Sequence, residues 1–204
     1  MEQTDNRVLL RGTVAGCAEL SHEIRGLEFF RFPVSVPRLS GREDLLNILS
    51  RRPEDGSPLP QPGQAVEIHG EIRSFNNRSG QGSRLVITVL ARSILPGKDA
   101  PCNLVSLRGR LCRPPVLRRT PLGRDICDLL LAVPRKYRRT DYLPCIAWGR
   151  LALRCGNLIP GDPLSLEGRL QSRLYWKTLG EITEERTAYE ISISDLCTPD
   201  TERP

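Results

Sequence analysis

The stretch that decides the fold runs over residues 103–142, NLVSLRGRLCRPPVLRRTPLGRDICDLLLAVPRKYRRTDY. It opens with alternating apolar residues, Val105 and Leu107, which is the pattern of a half-buried β-strand. A turn rich in Pro and Gly follows at 118–123, and a second apolar strand comes after it. The stretch closes with a cationic run that contains a tyrosine, Arg135–Arg139. The sequence therefore predicts two strands joined by a turn and followed by a basic, aromatic segment.

The first half of the chain repeats this pattern. Residues 6–12, NRVLLRG, align with residues 103–109, NLVSLRG, at an offset of 97, and the offset is 98 where Gly70 aligns with Gly168. One unit of about 95 residues, used twice, is the simplest account. We predict a first domain at 1–95, a linker at 96–102, a second domain at 103–197 and a short tail at 198–204.

Composition narrows the class of protein. With 17 Pro and 17 Gly in 204 residues, the chain favours many short strands and turns over a helical bundle. It has no apolar run long enough to cross a membrane, and its polar N-terminus is not typical of a signal peptide. Seven cysteines without a C-x-x-C pair predict reduced thiols in the cytoplasm and no zinc site.

Positive charge is concentrated in the second copy. Residues 103–180 carry 15 Lys and Arg against 5 Asp and Glu, whereas residues 1–98 carry 13 against 11. A concentrated basic field favours a polyanionic partner, although a solvated basic surface is an equally good interpretation of charge alone. Aromatic residues interleaved with the charge favour nucleic acid.

Several motifs in this order resemble the bacterial single-stranded-DNA-binding proteins. Their domain opens with N-x-V-x-L-x-G, which matches residues 103–109, and its R-x-T-P-x-G turn matches residues 118–123. The resemblance continues through YLPCIAWGRLA at 142–152 and ends in GDPLSLEGRL at 161–170. It implies an all-β fold of two tandem oligonucleotide/oligosaccharide-binding (OB) barrels, each a five-stranded Greek key.

We place the strands by this resemblance and by alternation. In the first copy they lie near 6–15, 28–37, 44–50, 65–74 and 84–92. In the second copy they lie near 103–112, 125–134, 141–148, 163–172 and 187–195. A short helix is expected in the second copy at 149–158, between its third and fourth strands.

The resemblance also implies a set of DNA-binding residues. The stacking aromatics fall on Tyr137, Tyr142, Trp148 and Tyr175, or on Trp176 if the last hairpin shifts by one residue. The basic residues around them are Arg118, Arg119, Arg135, Lys136, Arg138, Arg139, Arg173 and Lys177. A core position is the alternative for Trp148, because it alternates with the apolar Ile146.

The first copy keeps the scaffold but not these aromatics. The positions that match the five aromatics of the second copy are Ser40, Leu45, Arg51, Asn77 and Arg78. Phe30 and Phe32 are predicted to be core, and Phe75 could stack one base at a hairpin. We therefore expect the second copy to supply most of the binding energy, while the first extends the groove electrostatically or forms a domain interface.

The predicted function is binding of single-stranded DNA without base specificity, in replication, recombination or repair. The alternatives are a primosomal replication-restart protein of the same family and an OB module that binds a partner protein. The residues do not distinguish DNA from RNA. No catalytic constellation, metal site or cofactor motif is evident, since His22 and His69 have no nucleophile beside them. We therefore predict a protein that is not an enzyme.

The resemblance further implies a homodimer, since the family gathers four OB domains and this chain has two. We expect a cytoplasmic, nucleoid-associated protein that does not bind membranes. The tail at 198–204 lacks the acidic-hydrophobic tip with which the family recruits replication and repair proteins. A role as a general recruiting platform is therefore not expected.

Overall fold

The computed structural model describes residues 5–53, 55–77, 83–179 and 182–197, without the side chains of residues 177, 179 and 182. The predicted tail at 198–204 lies outside these residues. By their contacts, the residues form two compact units. The N-terminal unit is Arg7–Leu104 with Gln171–Ala188, and the C-terminal unit is Val105–Leu170 with residues 5–6 and 189–197.

The N-terminal unit is built on six strands: β1 (Asn6–Val14), β2 (Glu19–Ile24), β3 (Leu27–Pro37), β4 (Glu43–Arg51), β5 (Ala65–Asn76) and β6 (Leu85–Pro96). β1 pairs with both β3 and β5, and β5 pairs with β6. β6 runs parallel to β4, which pairs in turn with β3. Five strands therefore close a ring, and β2 pairs with β3 outside it.

The second copy of the repeat has this topology too, with β7 (Cys102–Leu111), β8 (Val116–Arg119), β9 (Asp125–Arg135), β10 (Arg139–Trp148), β11 (Pro163–Leu179) and β12 (Ile182–Cys197). β7 pairs with β9 and β11, and β12 lies between β11 and β10. The helix α1 (Arg150–Cys155) follows the third barrel strand and buries Ala152 and Cys155. The predicted all-β fold of two tandem OB barrels, with a short helix in the second, is confirmed.

Apart from shifts of a few residues at strand ends, the observed strands differ from the predicted ones at β2, β8 and the hairpin of β11 and β12. β2 and β8 were not expected, because every residue of both strands is exposed and no alternation marks them. β11 continues to residue 179 and β12 begins at 182, so they extend beyond the predicted limits of 172 and 187. In the described part of the chain, no helix combines the length and the apolar character that crossing a bilayer needs.

The hairpin at 171–188 lies inside the predicted second domain but makes its contacts with the N-terminal unit. Ser172 anchors it there: its N–H donates to Oδ1 of Asp44 at 2.8 Å, and its Oγ accepts from the Leu45 N–H at 3.1 Å. Its carbonyl oxygen accepts from Nη2 of Arg38 at 3.0 Å. The contact-defined units therefore do not follow the sequence repeat at this hairpin.

Each copy carries the same buried ion pair. Nε of Arg38 donates to Oδ2 of Asp44 at 2.8 Å, and Nη1 of Arg135 lies 3.2 Å from Oδ1 of Asp141. Both carboxylates are buried. A buried carboxylate that lost its partner would be strongly destabilising, so both members of the pair recur at the offset of 97 residues.

Each barrel closes at a glycine. Gly12 and Gly109 lie where the first barrel strand passes the second. A Cβ at Gly12 would overlap the carbonyl oxygen of Ser35, and one at Gly109 would overlap that of Ala132. Since any side chain would push these strands apart, only glycine permits closure here.

We expect Gly109→Ala to lower the free energy of unfolding by about 1–3 kcal/mol, the range that is typical for overpacking a dense interior. Urea denaturation followed by circular dichroism measures this. Gly156→Ala is the control, because Gly156 is helical in φ and ψ and its closest neighbour is the flexible end of Leu117, at 3.2 Å. Equal transition midpoints for the two variants would contradict closure at Gly109.

Candidate nucleic-acid interface

Strand β10 presents two aromatic rings on the outer surface of the C-terminal barrel. Its odd-numbered residues from Asp141 to Ala147 are buried, so its even-numbered side chains lie on the other face. Tyr142 and Trp148 on that face are 46% and 42% exposed. The structure therefore places Trp148 at the surface and not in the core.

A mostly apolar strip joins the two rings. They are six residues apart, which is about 20 Å along a strand. Pro144 and Ile146 lie between them on the same face. On β9, Ala132 is the register partner of Tyr142, and Ile126 is that of Trp148. Ile146 and Ile126 are buried, so the surface on which bases can stack is formed by the two rings at the ends of the strip.

Arg118 on β8 lies beside this strip, as the register partner of Ile126. Its Nε donates to Oδ2 of Asp128 at 2.7 Å, and its Nη2 donates to Oδ1 at 3.3 Å. The hydrogen bond to Asp128 raises the pKa of Arg118, and the charge of Glu190 adds to the effect. The guanidinium is therefore held in place, but two carboxylates offset much of its charge.

Arg119, the last residue of β8, contacts the turn that follows the strand. Nε of Arg119 donates to the carbonyl oxygen of Gly123 at 3.1 Å, and the guanidinium lies 3.5 Å from Asp125. Trp148 lines a pocket of about 490 Å³ with Gly123, Arg124, Asp125 and Gly149. The pocket is open to a planar group that stacks against the indole.

The loop between β9 and β10 is a single strained 3-10 turn. Tyr137 and Arg138 have φ of 62° and 55°, in the left-handed region that costs a non-glycine residue roughly 1–2 kcal/mol. Tyr137 is 93% exposed, so no packing compensates for this cost. Strain of this kind is concentrated at binding and catalytic sites.

The basic residues of this loop have two different surroundings. Lys136, Arg138 and Arg139 are exposed. Arg135 instead forms the half-buried ion pair with Asp141. DNA binding by Arg135 stays a prediction, because the partner that the structure gives it is the buried carboxylate of Asp141.

The predicted residues on the last hairpin belong to the N-terminal unit. The Arg173 guanidinium lies 5.9 Å from the centre of the Tyr175 ring, and Trp176 is exposed. The Lys177 side chain lies outside the part that the structure describes. By their contacts, these four residues are not grouped with Tyr142 and Trp148.

On the N-terminal barrel, Leu45 and Arg51 replace the two rings of β10, and Phe75 on β5 is 51% exposed. Phe32 is buried as predicted, but Phe30 is only half-buried and lies under the Arg52 guanidinium at 4.8 Å. Sequence reasoning missed Phe29, which stacks on His22. Strand alternation counted back from buried Phe32 places Phe30 on the inner face and Phe29 on the outer face.

Three thiols of the C-terminal unit are buried and unsuited to nucleophilic chemistry. Cys127, Cys145 and Cys155 are buried, and burial raises the pKa of all three, that of Cys155 to about 11. They are therefore protonated at neutral pH. Among the described residues, no group of three or more His, Cys, Asp or Glu side chains could hold a metal ion.

The second copy of the repeat also matches a known protein family. The model of the Single-strand binding protein family matches residues 102–198. The predicted resemblance to this family is confirmed. The residues matched are those of the second copy, which carries the strip, the strained turn and most of the basic excess.

Two relatives show the extent of the likeness. Single-stranded DNA-binding protein A of Bacillus subtilis (strain 168) is 36% identical over 86 residues, which are 39% of this chain and 50% of that protein. This chain thus spans half the length of the Bacillus protein. The single-stranded DNA-binding protein of Thermus aquaticus is 28% identical over 193 residues, which are 84% of this chain and 73% of that protein.

The likeness to Thermus aquaticus extends to the fold. The crystal structure of its wild-type single-stranded DNA binding protein matches with a TM-score of 0.77 and 26% sequence identity. The match covers 98% of this chain and 94% of that chain. Both copies of the repeat are therefore included in the likeness.

Replacing Tyr137 by Gly tests the strained turn. Gly adopts positive φ without a steric penalty, so Tyr137→Gly should leave the free energy of unfolding unchanged or raise it by up to about 1 kcal/mol. Urea denaturation measures this. Tyr142→Gly, within a strand, should lower the same quantity. Equal losses in the two variants would show that the turn stores no strain.

Proposed function

We propose that the C-terminal unit binds single-stranded DNA without base specificity, in replication, recombination or repair. The observation that carries this function is the pair of half-exposed rings, Tyr142 and Trp148, on one face of β10. Stacking on such rings does not read sequence, because every base has a π-face. Duplex bases are already stacked and paired, so this surface selects the single strand.

The strained turn adds a third ring and most of the phosphate contacts. Tyr137 stands almost fully exposed among Lys136, Arg138 and Arg139, so a base can stack while the cations bind the flanking phosphates. Arg118 contributes less, because Asp128 already holds it. Its fixed guanidinium orients the strand beside the strip.

The pocket beside Trp148 continues this path. A base stacked on the indole would enter a space lined by Asp125 and the backbone of Gly123 and Gly149. Arg119, at the edge of the turn, would then meet the adjoining phosphate. The path from Tyr142 to Arg119 thus offers stacking surface along its length and positive charge at its ends.

Replacing both Tyr142 and Trp148 by Ala should weaken binding of oligo(dT) by roughly 2–6 kcal/mol, since each stacked base contributes about 1–3 kcal/mol. Fluorescence anisotropy of a labelled oligonucleotide measures the Kd, and circular dichroism verifies folding. Leu153→Ala is the control: Leu153 is about as exposed but lies on α1. An unchanged Kd in the double variant would contradict the stacking site.

A duplex of equal length and a salt titration separate this function from its alternatives. Binding of the single strand should exceed that of the duplex and weaken steeply with salt through counterion release. Equal affinity for the duplex at physiological salt would indicate plain electrostatic attachment. Absence of oligonucleotide binding would favour an OB module that binds a protein.

We further propose that the chain acts as a homodimer on exposed single strands at the cytoplasmic nucleoid. The resemblance implies four OB domains in one assembly, and a chain with two barrels supplies them as a dimer. Linking sites in this way raises the effective concentration of each site. Light scattering should therefore give twice the chain mass, whereas a monomer well above micromolar concentration would overturn the dimer.

A further inference from the structure

The two strands that the sequence did not predict, β2 and β8, are the same element of the repeat. Each follows the first strand of its barrel and pairs with the second, β3 or β9, outside the ring. Glu19 lies across from Arg31, and Val116 lies across from Asp128, so both pairs are related by the offset of 97 residues. Both copies therefore carry an additional strand at the same place in the fold.

β2 and β8 each have an open backbone edge. They are the two end strands of the sheet order, so β2 has β3 as its one neighbour and β8 has β9. In the part of the chain that the structure describes, no backbone hydrogen bond joins the outer edge of either strand to another segment. The N–H and C=O groups of such an edge are a template for pairing with a further strand.

The side chains of both strands are exposed, and many of them are apolar. Every residue of β2 and of β8 is exposed. Leu20 and Ile24 on β2 are 59% and 51% exposed, and Val116 and Leu117 on β8 are 50% and 47% exposed. Apolar side chains on an open edge favour association with another chain, because pairing removes them from water.

The two edges carry opposite charge. β2 contains Glu19 and Glu23 and no Lys or Arg, whereas β8 contains Arg118 and Arg119 and no Asp or Glu. Like charges on paired strands are destabilising, so two β2 strands repel one another, and so do two β8 strands. Opposite charges across the pair are stabilising. Charge therefore selects pairing of β2 with β8 and disfavours pairing of either edge with itself.

One charged group on each edge is only weakly held within the chain. Glu19 lies 3.5 Å from the Arg31 guanidinium, and Arg119 lies 3.5 Å from Asp125. Glu19 and Arg119 are 73% and 72% exposed in these pairs. Ion pairs this exposed contribute little to stability, so both side chains can turn to a partner on another chain.

We propose that β2 of one chain pairs with β8 of a second copy of the chain. The two edges form backbone hydrogen bonds, as an extended peptide does when it adds a strand to a sheet. The exposed apolar side chains are covered, and the glutamates of β2 meet the arginines of β8. The contact is heterologous, because two different surfaces meet. It joins protein chains without nucleic acid, so it goes beyond the proposed function and does not depend on it.

The test uses two variants of the full chain, each altered at one edge. Glu23→Lys cancels the net negative charge of β2, and Val116→Glu places a negative charge on β8. Both positions are exposed and neither belongs to the proposed DNA-binding surface, and circular dichroism verifies folding. Sedimentation velocity without nucleic acid, over a wide range of protein concentration, should show a larger species for the unaltered chain than for either variant.

Two further variants are matched controls. Glu28→Lys makes the same change of charge on β3, one strand in from the β2 edge, where Glu28 lies across from Glu23. Leu122→Glu makes the same change as Val116→Glu in the turn after β8, at a residue that is 87% exposed. Both controls should sediment as the unaltered chain does. Losses as large as those of the edge variants would show that net charge, and not the edges, governs association.

A mixture of the two edge variants shows which edges meet. The Glu23→Lys chain keeps an unaltered β8 and the Val116→Glu chain keeps an unaltered β2, so an equimolar mixture should regain the larger species. The altered edges also carry opposite charges at the new residues. Equal sedimentation of the unaltered chain and both variants would overturn the contact. A mixture that stays small, or one variant that associates fully by itself, would overturn pairing of β2 with β8.

Discussion

Closure of each barrel depends on close passages of backbone past backbone, at Gly12 and Gly70 in the first barrel and at Gly109 and Gly168 in the second. The first barrel strand must pair with the second and the fourth strands, and at Gly12 and Gly109 the second strand approaches so closely that no Cβ fits. Once the ring closes, one face of every barrel strand is committed to the core. Tyr142 and Trp148 lie on the other face of β10 and are half-exposed.

This division explains how two copies of one domain have diverged. Inward positions are constrained by volume and by burial of charge, so the aliphatic core and the ion pairs Arg38–Asp44 and Arg135–Asp141 recur. Outward positions carry no such constraint. Tyr142 and Trp148 could therefore give way to Leu45 and Arg51 without loss of the fold.

The outer surface of the C-terminal unit combines rigid and strained parts. The strip between Tyr142 and Trp148 lies on paired strands, whose register fixes the distance between the rings. Tyr137 instead sits at the tip of a turn with two successive residues at positive φ. The strained backbone makes this turn less stable but holds the Tyr137 ring exposed among cations. Local strain of this kind is common at binding sites.

The sequence by itself determined the fold class, the repeat and the rings of β10. Alternation decides which face a residue takes on a strand, and the offset of 97 residues aligns one barrel on the other. It also located Tyr137 within a basic turn. These are local properties, which neighbouring residues along the chain are sufficient to specify.

Only the tertiary structure decided which residues act together. Strand pairing brings His22 against Phe29 and Arg51 across from it, and these partners are 7 and 22 residues away from Phe29 in the chain. It commits Arg135 to Asp141, and it groups the hairpin at 171–188 with the N-terminal unit through Ser172. Each of these outcomes depends on register between strands, which composition and periodicity do not specify.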